Sequence, residues 1–308
     1  MLDNLIIVAE QVAILFILIA VGFVSGKVKL INDAGAKHLT DIVLYLATPC
    51  IMVKSFQDVG FEPNLALNLG ITAICATLIQ VLSIFVCRLV YRNKDESRRK
   101  VLQFGAVFSN CGFMSLPLQN AVIGSKGVFY GAVFVAIFNI IVWSYGLVDM
   151  SGDRKNINLK NILLNPGVLG AAASCLFFFL RIDLPPIALT PISYIAALNT
   201  PVPMLVIGYY LSKTDFKKSL RDKGIYAVTA MRLVAIPAVS LLVMKLCGVS
   251  GDILVACTIA SSAPVAATTT MFATKFNRDV ELSVGLVSVT TVLSIITMPL
   301  IIAVSQSL

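Results

Sequence analysis

The sequence predicts an all-α integral membrane protein of ten transmembrane helices, and three observations carry that reading. Of 308 residues, 58% are apolar and 13% charged, against about 45–50% and 25% in ordinary soluble domains. Ten spans of about 20 residues fit the length and leave about ten residues for each connection. The basic residues also fall almost entirely on alternate connections, which a soluble chain has no reason to arrange.

The spans are read as Leu5 to Val24, Leu39 to Phe56, Leu65 to Val90, Val101 to Ile123, Val128 to Val148, Asn161 to Leu180, Ile187 to Leu211, Ile225 to Leu246, Ile253 to Phe276 and Leu282 to Val304. Connections after the odd-numbered spans hold 19 of the 24 Lys and Arg residues: Lys27, Lys29 and Lys37; Arg88, Arg92, Lys94, Arg98, Arg99 and Lys100; Arg154, Lys155 and Lys160; Lys213, Lys217, Lys218, Arg221 and Lys223; Lys275 and Arg278. The alternate set holds four, Lys54, Lys126, Arg181 and Lys245, and Arg232 is left inside a span. By the positive-inside rule both termini lie outside the cytoplasm, in a multi-pass protein of a cell (inner) membrane. Asp3 precedes the first span and Lys27 follows it, so that span reads as a retained helix rather than a cleaved signal.

Five spans precede the Asp149 to Lys160 connection and five follow it, which divides the chain into repeats over 1–150 and 151–308. A tandem copy of an odd number of helices must insert upside down. Two matches at about one spacing support the duplication. Thr48-Pro49-Cys50-Ile51-Met52 recurs as Thr200-Pro201-Val202-Pro203-Met204, 152 residues on, and Ser109-Asn110-Cys111-Gly112 faces Ser261-Ser262-Ala263-Pro264. Paired irregularities in corresponding helices mark an inverted-repeat transporter and its binding site.

Proline inside a membrane helix lacks an N–H and frees the carbonyl four residues earlier, which lipid cannot satisfy. Gly112 and Pro117 are expected to interrupt span four, and Pro264 span nine. Ser109, Asn110, Ser115, Gln119 and Asn120 cluster at one break, and Ser261, Ser262, Thr268, Thr269 and Thr270 at the other. If the broken helices cross, half-helix N-termini carrying about half a positive charge each converge on an anion site built largely of backbone. A single kinked helix with hydroxyl side chains usually only packs; the symmetry of the two breaks favours a site. Thr48, Pro49, Asn199, Thr200 and Pro201 in spans two and seven are candidate supports. Arg232, about 13 Å into span eight, either draws a carboxylate or snorkels to headgroups.

Other classes fit less well. His38 is the only histidine, and the seven cysteines lie scattered through apolar stretches without a C-x-x-C. Neither a metal centre nor a Ser-His-Asp enzyme site is expected. There is no P-loop and no basic amphipathic helix, so no nucleotide cofactor or nucleic-acid partner is expected either. A sodium-coupled symporter of the bile-acid type, with Asn110, Gln119 and Thr268 among its ligands, is the alternative within transport.

At Asn110-Cys111-Gly112-Phe113-Met114-Ser115-Leu116-Pro117 the chain resembles the auxin efflux carrier family, and Thr48-Pro49 and Pro264 extend the likeness along its whole length. The resemblance implies a scaffold part, a transport part built around crossed helices, frequent homodimers and a malate-like carboxylate or auxin-like weak acid as substrate. It carries a substrate role onto Asn110, Pro117 and Pro264. The short Asp149 to Lys160 connection suits a bacterial member.

Overall fold

The computed structural model describes residues 2–92, 95–153, 155 and 157–308, with backbone alone for residues 2–5; Lys94 and Arg154 of the charge pattern lie outside the described residues. All its regular elements are helices: α1 Leu2–Lys27, α2 Asp33–Val59, α3 Pro63–Val90, α4 Glu96–Val107, α5 Cys111–Ser151, α6 Leu159–Leu163, α7 Pro166–Leu180, α8 Pro186–Ala197, α9 Pro201–Ser212, α10 Phe216–Ser219, α11 Lys223–Leu246, α12 Gly251–Ser262, α13 Thr268–Lys275 and α14 Val280–Gln306. Among the described residues seven segments are long and apolar enough to cross a membrane: α1, α2, α3, α5, the α8–α9 run, α11 and α14. Two further apolar helices, α7 and α12, are shorter.

Helix starts follow local chemistry. Asn32, Asn158, Asn165, Asp215, Asp222 and Asp279 each accept a backbone N–H of the following first turn, satisfying donors that a helix leaves orphaned. Pro63, Pro166, Pro186 and Pro201 open their helices, where a missing N–H costs nothing. Three prolines inside longer helices, Pro49, Pro117 and Pro237, each follow a five-residue π-turn by one residue: Val43–Ala47, Cys111–Ser115 and Met231–Ala235. Widening the turn gives room to a ring that would otherwise strike the carbonyl of the preceding turn. Pro49 and Pro117 therefore bend the chain without breaking it.

The 41-residue α5 would be about 60 Å long if straight. It is instead doubled back at Gly124, whose φ of 63° and ψ of −155° are open only to glycine at low cost. A Cβ placed on Gly127 would lie 2.4 Å from the Gln119 carbonyl oxygen, so the two arms pack backbone to backbone.

Two apolar clusters sandwich the middle of the molecule. The larger joins α2 to α5, α7 and α11 to α14, with Phe56, Phe104, Phe108, Phe129 and Phe272 at its centre. The smaller sets Val8, Val12, Leu15 and Ile19 of α1 against Met204 and Ile207 of α9, and reaches Met114, Leu118, Val255 and Ile259. In the α1–α9 contact, a Cβ on Gly208 would fall 2.0 Å from the Ile19 carbonyl oxygen. Small residues that let helix backbones touch hold membrane bundles together. Gly208→Ala should therefore cost about 1–3 kcal/mol through forced separation of the helices, read as a lowered melting temperature in detergent.

Candidate functional site at the helix crossover

Helices α4 and α12 both stop in the protein interior, at Val107 and Ser262. The residues that follow are extended: Phe108 has φ −100° and ψ 114°, and Ala263 φ −62° and ψ 150°. The two strips pair with each other. Asn110 N–H donates to the Pro264 carbonyl at 2.7 Å, Ala266 N–H donates to the Phe108 carbonyl at 2.9 Å, and Ser109 and Val265 form an antiparallel bridge. Helical structure resumes at Cys111 and Thr268. The two interrupted segments therefore meet at their extended strips. The break in the first one falls at Phe108–Asn110, ahead of Gly112 and Pro117, because the π-turn absorbs Pro117.

Arg232, on the π-turn of α11, is 2% exposed. Its guanidinium donates to the Ala106 and Val107 carbonyls at 3.2 and 2.8 Å and to the Ser261 carbonyl, so one side chain grips the ends of both α4 and α12. The snorkelling expectation is overturned: these carbonyls, freed where the two helices end, give the charge a better partner than headgroups. A carboxylate drawn directly to Arg232 would find only its Nε without a partner among the described residues.

The lacing continues around the crossing. Gln119 Nε2 donates to the Ala256 carbonyl at 2.8 Å and Ser115 Oγ to that of Ile259 at 3.4 Å. Ser261 and Ser262 turn their hydroxyls back onto Thr258 and Ile259; Ser262 is fully buried and committed to its own helix. On α14, the Thr290 hydroxyl accepts the Val265 N–H at 3.1 Å. Sequence reasoning missed Thr290, although it lies in a hydroxyl-rich stripe with Ser283, Ser288, Thr291 and Ser294.

Several groups at the crossing remain uncommitted, the Gln119 Oε1 and the Thr258 and Thr269 hydroxyls among them. The Asn110 side-chain amide has no hydrogen-bond partner among the described residues, the Thr268 hydroxyl is buried without one, and a Cβ on Gly112 would meet nothing within 4 Å. Thr48 and Asn199, by contrast, bond to each other at 3.0 Å, joining α2 to the α8–α9 junction rather than to the crossing. Pro49 packs on Gly170 of α7. Thr200 and Pro201 start α9, and the span read as Ile187 to Leu211 is interrupted at Leu198–Thr200.

The electrostatics follow from helix polarity. A helix end carries about half an elementary charge, negative at its C-terminus and positive at its N-terminus. The ends of α4 and α12 amount to about one negative charge, which Arg232 offsets. The beginnings of α5 and α13 keep their positive polarity, with the Asn110 amide and Thr268 hydroxyl beside them.

Crossed, interrupted helices with uncommitted polar groups in an apolar helical body define a multi-pass membrane transporter. Residues 7–302 match the family model described as membrane transport protein, and the chain belongs to that family, in keeping with its resemblance to auxin efflux carriers. It is 23% identical to an uncharacterised transporter of Methanocaldococcus jannaschii over 305 residues, covering 94% of this chain and 96% of that protein. It is 22% identical to an uncharacterised transporter of Methanothermobacter thermautotrophicus over 295 residues, again covering 94% and 96%.

Proposed function

We propose that this protein is a secondary transporter of a small organic anion, a malate-like carboxylate or auxin-like weak acid, that works by alternating access. The observation that carries the proposal is Arg232. By compensating the two helix C-termini it leaves the two N-termini as the uncompensated poles of the crossing, which favours a negative guest. The same contact argues against a sodium site built from these carbonyls, since a resident guanidinium already occupies those of Ala106, Val107 and Ser261. Asn110, Gly112 and Thr268 face the substrate in this reading, while Ser109, Pro117, Gln119, Ser262, Pro264 and Arg232 shape the crossing. Thr48, Pro49, Asn199, Thr200 and Pro201 support it from α2 and the α8–α9 junction.

The proposal includes ten spans arranged as two inverted repeats, 1–150 and 151–308. In this reading the arms of α5 count separately, and α4 with the first arm, α6 with α7, α8 with α9 and α12 with α13 count as single passes, which makes ten. The basic connections then put both termini on the non-cytoplasmic side of a cell (inner) membrane, and a homodimer is part of the reading through the family resemblance.

Uptake of labelled mono- and dicarboxylates into proteoliposomes tests it. Asn110→Ala removes a donor to an ionised guest, worth about 1.5–3 kcal/mol, and should reduce carboxylate flux roughly ten- to hundredfold with little change in melting temperature. Undiminished flux in this variant would count against the site, and carboxylate-independent sodium flux against the substrate class.

A further inference from the structure

A polar cavity of about 370 Å³ lies away from the crossing where α3 ends and α4 begins; it is lined by Arg88, Tyr91, Arg92, Arg99, Gln103 and Asp149. Its charge does not balance. Arg88 is committed: its Nε donates to the Tyr145 hydroxyl at 3.0 Å, its guanidinium lies over the Tyr145 ring, and it stands 3.9 Å from Asp149. Arg92 and Arg99 have no ion pair or hydrogen-bonded side-chain partner among the described residues, so the cavity keeps two positive charges. Tyr91 is 7% exposed, yet its hydroxyl is buried and has no hydrogen-bond partner. Gln103, which donates to the Tyr91 carbonyl at 2.8 Å, fixes that residue in the wall.

Two guanidinium forks without an ion-paired partner in one cavity suit a group with several anionic oxygens better than a lone carboxylate. The surroundings indicate where such a group comes from. On α3, Phe85 lies one turn before Arg88 and one turn before Leu89, and Phe85 and Leu89 are exposed at 62 and 49%. A polar, cationic recess beside an apolar helix flank matches a lipid with its phosphate in the recess and its acyl chains along the flank, as basic pockets between membrane helices bind anionic headgroups. We infer that this cavity binds the phosphate of an anionic phospholipid, and that Arg92 and Arg99 recognise it. The inference is independent of the substrate proposed for the crossing.

Lipid titration of the purified full-length protein in detergent tests it, read by thermal shift and by native mass spectrometry. Phosphatidylglycerol should raise the melting temperature by about 3 °C or more and remain bound, whereas phosphatidylcholine should do neither. The double variant Arg92→Gln/Arg99→Gln should weaken phosphatidylglycerol binding roughly thirtyfold. The exposed pair Lys217→Gln/Arg221→Gln should leave it unchanged. If the double variant already melts early in phosphatidylcholine, the single variants Arg92→Gln and Arg99→Gln decide, each expected to weaken binding about fivefold. Equal binding of the two lipids, or variants that bind as the parent does, overturns the site. Stabilisation by inorganic phosphate that depends on the same residues, without lipid retention, upholds phosphate recognition and overturns the lipid source.

Discussion

Arg232→Met is expected to abolish transport, with a fall of at least about a hundredfold, and to lower stability by about 3–5 kcal/mol, the range for removing one partner of a buried charged contact. Methionine roughly keeps the length of the side chain and its fit among apolar neighbours. What it removes is the set of donors to Ala106, Val107 and Ser261, leaving carbonyls that no water reaches and two helix C-termini facing each other uncompensated. Arg232→Lys separates the two roles. It preserves the charge but not the planar fork, so it should retain measurable anion flux while melting earlier than the parent. Flux in proteoliposomes, with melting followed by intrinsic fluorescence of the same preparations, checks both. If Arg232→Met melts early but still carries carboxylate at the parental rate, the guanidinium is a structural clasp and the charge argument fails. If Arg232→Lys is as inactive as Arg232→Met, geometry rather than sign governs the site.

The features legible in the sequence were those that depend on local chemistry. Pro264 cannot continue a helix from Ala263, and serines beside it back-bond to their own helix, so the second interruption could be placed to within a residue or two. The first could not. Its strongest sequence signals, Gly112 and Pro117, lie in and just beyond a π-turn that accommodates them. The break at Phe108–Asn110 is set by a tertiary partner, the strip around Pro264, whose backbone it pairs with. Pairing through N–H and C=O groups leaves no side-chain signature to read. Arg232 shows the same limit from the other side: its depth in the span was evident, but its ligands are three carbonyls, so sequence alone left two fates open. The reversal in α5 was only half visible, since Gly124 signals a turn while the close approach of Gly127 to Gln119 depends on how the arms meet.

Two glycines of α5 should behave in opposite ways, and the contrast separates a vacant site from a packed one. At Gly112 an added Cβ meets nothing within 4 Å, and the residue lies in the first turn of the π-segment, where positive helix polarity is exposed. Gly112→Leu should therefore fold normally, with stability within about 0.5 kcal/mol of the parent as for substitutions that touch little, while filling the space proposed for the anion and reducing carboxylate flux to background. At Gly127 an added Cβ lies 2.4 Å from the Gln119 carbonyl oxygen, an atom of the helix frame that cannot step aside. Gly127→Ala should force the arms apart at a cost of about 1–3 kcal/mol and, by shifting Gln119 away from the Ala256 carbonyl, loosen the grip of α5 on α12. Saturation binding of labelled carboxylate alongside melting curves distinguishes the two variants: Gly112→Leu should lose the ligand and keep the fold, and Gly127→Ala should lose fold stability first. Ligand bound to Gly112→Leu with parental affinity would mean that the space beside Gly112 is not where the anion sits, and the site would have to be sought on the Thr268 side of the crossing.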